Sequence, residues 1–242
     1  MKTANVHSIQ TMGTLDGPGI RYVLFLQGCP FRCLFCHNPD TWNVGADNKK
    51  NVDELVEDVL KYKEFYDNSA GGVTVSGGEP LLQIPFLIEF FKKLKMHNIS
   101  TAIDTCGHVV INKDLEELLK YTDLILLDIK HLDKQKHIEL TGQDNLKTLK
   151  FLDYINNLQK RIWIRQVLTP DYTMDNDYIE KLIEFLKQYN IEKVELLPYH
   201  DMARGKYEKL GLHYPLENTQ IPEKQDVERI KQTFVDNGFN VV

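Results

Sequence analysis

The chain has 242 residues, 42% of them apolar, enough for one sizeable α/β domain with a full core. Lys and Arg total 29 against 35 Asp and Glu, a net charge of −6, which argues against a general nucleic-acid binder. The first ten residues hold no signal-peptide core and no stretch approaches the ~18 apolar residues of a membrane span, so a cytoplasmic protein with neither nucleic acid nor membrane as partner is expected.

Short apolar runs alternate with amphipathic ones along the chain. Tyr22 to Leu26 reads as a buried strand; a polar loop, roughly 43–54, then leads into a helix carrying Leu55, Val56, Val59, Leu60 and Tyr62. Val73 to Val75 is the second strand, and Leu87, Phe90, Phe91 and Leu94 share one face of the helix after it. Thr101 to Ile103 is the third strand, followed by a helix around Leu115, Leu118 and Leu119. Leu124 to Leu127 is the fourth, with a helical region from roughly 133 to 159. Ile162 to Leu168 is the fifth, then a helix with Ile179, Leu182, Ile183 and Leu186; Val194 to Leu197 is the sixth, and a last helix carries Val227, Ile230 and Phe234. Strand–helix alternation implies a parallel sheet covered by helices, in a partial or complete barrel or a doubly wound sheet. With no repeat period and no dividing linker, residues 1–242 read as a single domain.

The unusual residues fall just after the strands. The cysteine loop follows the first, Ser76-Gly77-Gly78-Glu79-Pro80 the second, Asp104-Thr105 the third, Asp128-Ile129-Lys130 the fourth and Pro198-Tyr199-His200 the sixth. In α/β barrels the chemistry sits at this carboxyl rim, so these residues are read as one site. Three of the four cysteines, Cys29, Cys33 and Cys36, form a CxxxCxxC pattern. Such clustering in a chain without an export signal points to metal binding rather than to a disulfide scaffold. Three thiolates suit an iron–sulfur cluster and leave one iron of a four-iron cubane open. A structural zinc site is the competing reading, with His37 as its fourth ligand, but the second spaced cysteine pair usual for such sites is missing. In SGGEP the glycines let backbone approach a ligand closely, and Glu79 offers an acceptor to an ammonium group.

CxxxCxxC with an aromatic, Phe35, before the third cysteine, together with SGGEP one βα unit on, resembles the radical S-adenosylmethionine (SAM) superfamily. The resemblance implies one [4Fe–4S] cluster on Cys29, Cys33 and Cys36, with SAM chelated to its open iron and cleaved to a deoxyadenosyl radical. It implies a partial (β/α)6, TIM-like barrel whose lateral opening admits a peptide. The runs Asp16-Gly17-Pro18-Gly19-Ile20-Arg21, Gln27-Gly28-Cys29 and Cys36-His37-Asn38-Pro39 further resemble the activating enzymes of glycyl radical enzymes. None of the 39 residues from His37 to Val75 is cysteine, so the ferredoxin-like insertion of many relatives is missing and the short type, which acts on pyruvate formate-lyase, matches best.

The resemblance then assigns residues one at a time. Phe35 and His200 lie near the adenosine of SAM, with Cys36 and His37 beside them; Gly77, Gly78 and Glu79 hold the methionine amino group. Lys130, with Asp128 and Ile129, reaches the carboxylate, and Arg165 holds an anionic SAM group or the partner's peptide. Asp104, Thr105, Asp128 and the backbone of Leu126 resemble a monovalent-cation site, helix capping by Asp104 or Thr105 being the competing reading. Asp16 and Arg21 line the partner's path. Cys106 is read as a free thiol, buried or partly buried, that is not a ligand. The implied reaction is hydrogen abstraction from a backbone glycine of pyruvate formate-lyase, with a reduced flavodoxin or ferredoxin as electron donor. The alternatives are an activator of another glycyl radical enzyme or of anaerobic ribonucleotide reductase and, from another class, a cysteine-based metal or redox sensor.

Overall fold

A computed structural model describes residues 2–43, 45 and 48–242. The chain forms two compact units, Met1–Pro30 with Thr41–Leu126, and Phe31–Asp40 with Leu127–Val242. Among the described residues there are eight strands and nine α-helices, and no helix is long and apolar enough to cross a membrane.

The first unit opens on a long strand β1 (Thr3–Gly13), paired antiparallel with β2 (Arg21–Leu26) on one side and the short β3 (Lys49–Asn51) on the other. β3 falls within the stretch expected as a loop; Val44, Ala46 and Asp47 of that stretch lie outside the described residues. From β2 onward the pattern is strand–helix–strand. Helices α1 (Val52–Leu60) and α2 (Lys63–Ser69) lead to β4 (Gly72–Gly77), α3 (Ile84–Met96) to β5 (Ser100–Thr105), and α4 (Lys113–Lys120) to β6 (Leu124–Asp128), whose first three residues belong to this unit. The strand order is β3-β1-β2-β4-β5-β6, with β2, β4 and β5 parallel.

Local chemistry fixes the boundaries. Asn51 and Glu54 form a reciprocal capping box at the start of α1. α2 ends on Ala70 in the left-handed conformation, and Gly71 and Gly72 follow, where a Cβ would strike the backbone of Ile20 and of Ser100. The apolar stripe of α3, Leu87, Phe90, Phe91 and Leu94, is wholly buried. Each such side chain contributes roughly 1.5–3 kcal/mol on burial, so this stripe alone anchors the helix to its sheet.

The second unit contains the end of β6, then α5 (Lys134–Thr141), α6 (Leu146–Asn157), β7 (Arg161–Leu168), α7 (Asn176–Leu186), β8 (Lys193–Pro198), α8 (Arg204–Lys209) and α9 (Lys224–Asp236). Its strand order is β6-β7-β8, β7 and β8 running parallel with Arg165 opposite Glu195. The region expected as helical from roughly 133 to 159 holds two helices, because Gly142 takes a left-handed conformation (φ 77°) and ends α5.

Candidate functional site

The strand-exit residues singled out from the sequence fall into two sets, one in each unit. In the first unit, β2 runs straight into Gln27-Gly28-Cys29. Gly28 has φ 101°, its N–H donates to the Thr41 carbonyl at 2.7 Å, and its own carbonyl accepts from the Glu79 N–H at 2.7 Å. The SGGEP turn presses on this backbone from β4. A Cβ at position 78 would lie 2.1 Å from the Gly28 oxygen, and one at 77 would lie 2.2 Å from the Leu26 nitrogen. Only glycine allows so close an approach.

Glu79 is fully buried. Its carboxylate accepts from the Leu81 N–H, the Thr105 hydroxyl, the Cys106 N–H and the Cys106 thiol, all within 2.9 Å. Burial pushes its pKa up, against the pull of these donors. Burial, and after it the Glu79 charge, pushes the Cys106 thiol well up, so the thiol stays protonated and donates. Beside this group the Ser76 hydroxyl donates to Asp104 at 2.7 Å, and Thr105 accepts from the Gly107 N–H at 2.9 Å.

Asp16 and Arg21 lie at the other end of β2. Arg21 is completely buried, so it does not itself line a surface. Its Nη2 donates to the Val73 carbonyl at 2.6 Å and its Nε to the Thr74 hydroxyl at 2.9 Å, and that hydroxyl donates to the Asp16 carbonyl at 2.6 Å. Arg21 therefore holds the DGPG loop from beneath.

In the second unit the segment from Phe31 to Asp40 is pinned to α5: the Arg32 and Leu34 N–H groups donate to the Thr141 and Leu140 carbonyls. Cys33 and Cys36 form a turn, the Cys36 N–H donating to the Cys33 carbonyl at 3.0 Å. Phe35 is buried, and the Lys130 ammonium stands 5.2 Å from its ring centre while pairing with Asp128 at 3.0 Å. His37 stacks on His200 with centroids 3.9 Å apart, and its Nε2 lies 3.2 Å from the His200 carbonyl. Lys206 of α8 reaches Asn38 at 2.8 Å and Asp40 at 3.5 Å. Buried Ile129 donates its N–H to the Arg165 carbonyl, and the Arg165 guanidinium pairs with Glu195 at 2.9 Å.

The structure thus gathers Glu79, Asp104 and Thr105 around the SGGEP turn, and Leu126 is buried in β6. It brings Phe35 to Lys130 and Asp128, and His37 to His200. Sequence reasoning did not find Glu195, Lys206 or the link from Cys106 to Glu79. For Glu195 a signal existed: a lone carboxylate in the apolar strand run Val194-Glu195-Leu196-Leu197. The donor set of the cysteine loop fits a cluster, since the three cysteines form no disulfide and are partly exposed. Among the described residues no three His, Cys, Asp or Glu side chains stand close enough to share one metal ion. A four-iron cluster gives each cysteine its own iron and so takes sulfurs set wider apart.

The model of the radical SAM superfamily matches residues 23–191. The chain is 47% identical to the pyruvate formate-lyase-activating enzyme of Staphylococcus epidermidis (strain ATCC 12228 / FDA PCI 1200), over 99% of this chain and 97% of that protein. This chain belongs to the radical SAM superfamily, in the family of pyruvate formate-lyase-activating enzymes. The relative of the same name from Staphylococcus aureus (strain USA300) is also 47% identical, over 94% of this chain and 93% of its own. Among solved structures, a domain of pyruvate-formate lyase-activating enzyme from Bacteroides vulgatus ATCC 8482 matches 71% of this chain and 98% of its own length, with 26% identity and a TM-score of 0.60. Streptococcus suis SuiB bound to precursor peptide SuiA matches 88% of this chain and 46% of its own with a TM-score of 0.69; at 22% identity it speaks for the fold alone. The α/β fold expected from the strand–helix alternation is therefore that of radical SAM enzymes, and membership implies a [4Fe–4S] cluster and SAM as cofactors.

Proposed function

We propose that the protein activates pyruvate formate-lyase by generating a glycyl radical on it. The observation that carries this is full-length 47% identity to activating enzymes of that name, with CxxxCxxC, SGGEP and DGPGIR all present in this chain. Once bound, the cluster and SAM would supply the one-electron chemistry needed to abstract hydrogen from a backbone glycine of the partner. We read the two units as parts of one radical SAM domain, since the family model runs from the first into the second.

The chain's own residues bind, orient and exclude water. Cys29, Cys33 and Cys36 hold the cluster. The backbone of Gly77 and Gly78 takes the methionine end of SAM, within a turn that Glu79 shapes. Phe35, His37 and His200 provide flat surfaces for the adenosine. Lys130 and Arg165 take anionic groups; their carboxylate partners, Asp128 and Glu195, hold each cation until such a group arrives. Asp104, Thr105, Asp128 and the Leu126 carbonyl form a monovalent-cation site beside SAM, hard oxygens suiting such an ion. Asp16 lines the partner's path on a loop that Arg21 fixes. A reduced flavodoxin or ferredoxin in the cytoplasm supplies the electron.

The test is anaerobic electron paramagnetic resonance of reconstituted protein with SAM, reductant and pyruvate formate-lyase, and separately with anaerobic ribonucleotide reductase and another glycyl radical enzyme. A glycyl radical on pyruvate formate-lyase is expected, roughly in step with SAM consumption. A radical formed only in one of the other mixtures overturns the partner and keeps the chemistry. SAM cleavage without any protein radical overturns the activase reading.

A further inference from the structure

A carboxylate has two oxygens and about four lone-pair positions. In Glu79 all of them meet donors of the chain itself. Oε1 accepts from the Leu81 N–H at 2.9 Å and the Thr105 hydroxyl at 2.6 Å; Oε2 accepts from the Cys106 N–H at 2.9 Å and the Cys106 thiol at 2.8 Å. No part of the side chain is exposed. An ammonium group arriving at the SGGEP turn therefore finds neither a free lone pair on Glu79 nor a way to it.

What Glu79 joins is equally specific. Its backbone N–H donates to the Gly28 carbonyl, one residue before Cys29, and its side chain grips both residues that leave β5, Thr105 and Cys106. Thr105 carries the link on to the Gly107 N–H, and the residue before it, Asp104, takes the Ser76 hydroxyl. Three strand exits, those of β2, β4 and β5, thus meet on one residue. We infer that Glu79 is a positioning residue that works through the Cys106 thiol and Thr105, setting the β5 exit against the SGGEP backbone, and that it is not itself the acceptor for the SAM ammonium group. The inference rests on the reading of this turn as part of the SAM site. It differs from the expectation from sequence that the Glu79 carboxylate meets the ammonium directly. It also gives Cys106 a part: a buried thiol donor that keeps the fourth lone pair occupied.

The two readings predict opposite signs for a residue that is not expected to touch SAM. If Glu79 acts by position, Cys106→Ala leaves a buried acceptor short of a donor and loosens the β5 exit, so SAM binding weakens roughly tenfold. Cys106→Ser, which restores a hydroxyl donor, brings the affinity back to within about twofold of the unsubstituted protein. If Glu79 held the ammonium itself, Cys106→Ala would free a lone pair, and SAM would bind equally well or better. The measurement is SAM affinity by anaerobic equilibrium dialysis on the reconstituted full chain, with iron content and circular dichroism matched across variants. A second readout needs no cofactor: Cys106 should resist iodoacetamide in the native protein and become labelled in Glu79→Gln, scored by peptide mapping. Equal or tighter SAM binding in Cys106→Ala overturns the inference alone. Unsubstituted protein with a full cluster that binds no SAM overturns the inference together with the functional reading. Unchanged labelling of Cys106 in folded Glu79→Gln also overturns it.

Discussion

The SGGEP turn in the first unit and the Asp128–Lys130 and Arg165–Glu195 pairs in the second arrange their polar groups by different physics. At SGGEP the polar groups are saturated: Glu79 has a donor on every lone pair, and Gly77 and Gly78 sit where any side chain would strike backbone. Around Lys130 and Arg165 the polar groups are paired but exchangeable. Lys130 and Asp128 keep 11% and 19% of their side-chain surface, and Arg165 and Glu195 keep 10% and 11%, so a ligand can reach them and compete for the pairing. A buried, saturated network fixes geometry, whereas a nearly buried ion pair that keeps an exposed edge holds charge that a ligand can claim. The first region offers a ligand fixed geometry; the second offers charges it can compete for.

The strongest way to break the comparison is at the first region and the loop it supports. Replacing Cys29, Cys33 or Cys36 by Ala should abolish SAM cleavage and cluster iron, while Cys106→Ser should keep the iron, measured by methionine release and iron assay. Gly78→Ala should be nearly as severe for a different reason. Its Cβ would lie 2.1 Å from the Gly28 oxygen, so backbone must move, at a cost on the order of 4 kcal/mol or more. The melting temperature of the protein should fall before any ligand is added. A Gly78→Ala protein with native stability would show that the turn is softer than the saturated network implies.

A middle-sized effect belongs to the second region. Glu195→Gln leaves shape intact but removes the carboxylate that pairs with Arg165 at 2.9 Å and lies 3.3 Å from Lys193. Breaking one side of such a pair costs about 3 kcal/mol. If Arg165 meets an anionic group of SAM, saturating SAM should raise the melting temperature of Glu195→Gln by more than it raises that of the unsubstituted protein. Equal shifts would mean that Arg165 serves the fold or the partner's peptide rather than SAM.

Much of this was legible in the chain. The six central strands follow from apolar runs of the right length, and the rim residues follow from their places just after those runs. β1 was not legible, because TANVHSIQTMG has only three buried positions and its other residues are largely polar, so neither a period of two nor an apolar run stands out. α8 was missed because RGKYEK is six residues long and carries a single buried side chain, Tyr207. At the site, motifs gave the residue types but not their partners. That Glu79 faces inward could not be read from GGEP, since the Thr105 and Cys106 donors come from another strand. The pairing of Arg165 with Glu195 depends on the register of β7 on β8.

The smallest effect separates the units by pH. Two histidines of the second unit are buried and held below the ordinary histidine pKa, chiefly by burial. Neutral His131 accepts the Asp133 N–H on Nδ1 at 2.9 Å and lies 3.1 Å from the Tyr172 carbonyl through Nε2, and His137 Nδ1 lies 2.7 Å from the Gln143 carbonyl. A histidine whose folded pKa is depressed binds fewer protons folded than unfolded, so stability rises with pH across the window between the two values. The contribution is complete above about pH 6.5, the unperturbed value, and is lost as pH falls from there toward the depressed folded values. Protonation of His131 would also turn Nδ1 into a donor facing the Asp133 N–H. Hydrogen exchange should therefore show residues 131–145 losing protection between pH 7.5 and 5.5, while the β4 and β5 backbone holds. A segment 131–145 whose protection does not change across that range would show that both histidines remain neutral throughout it.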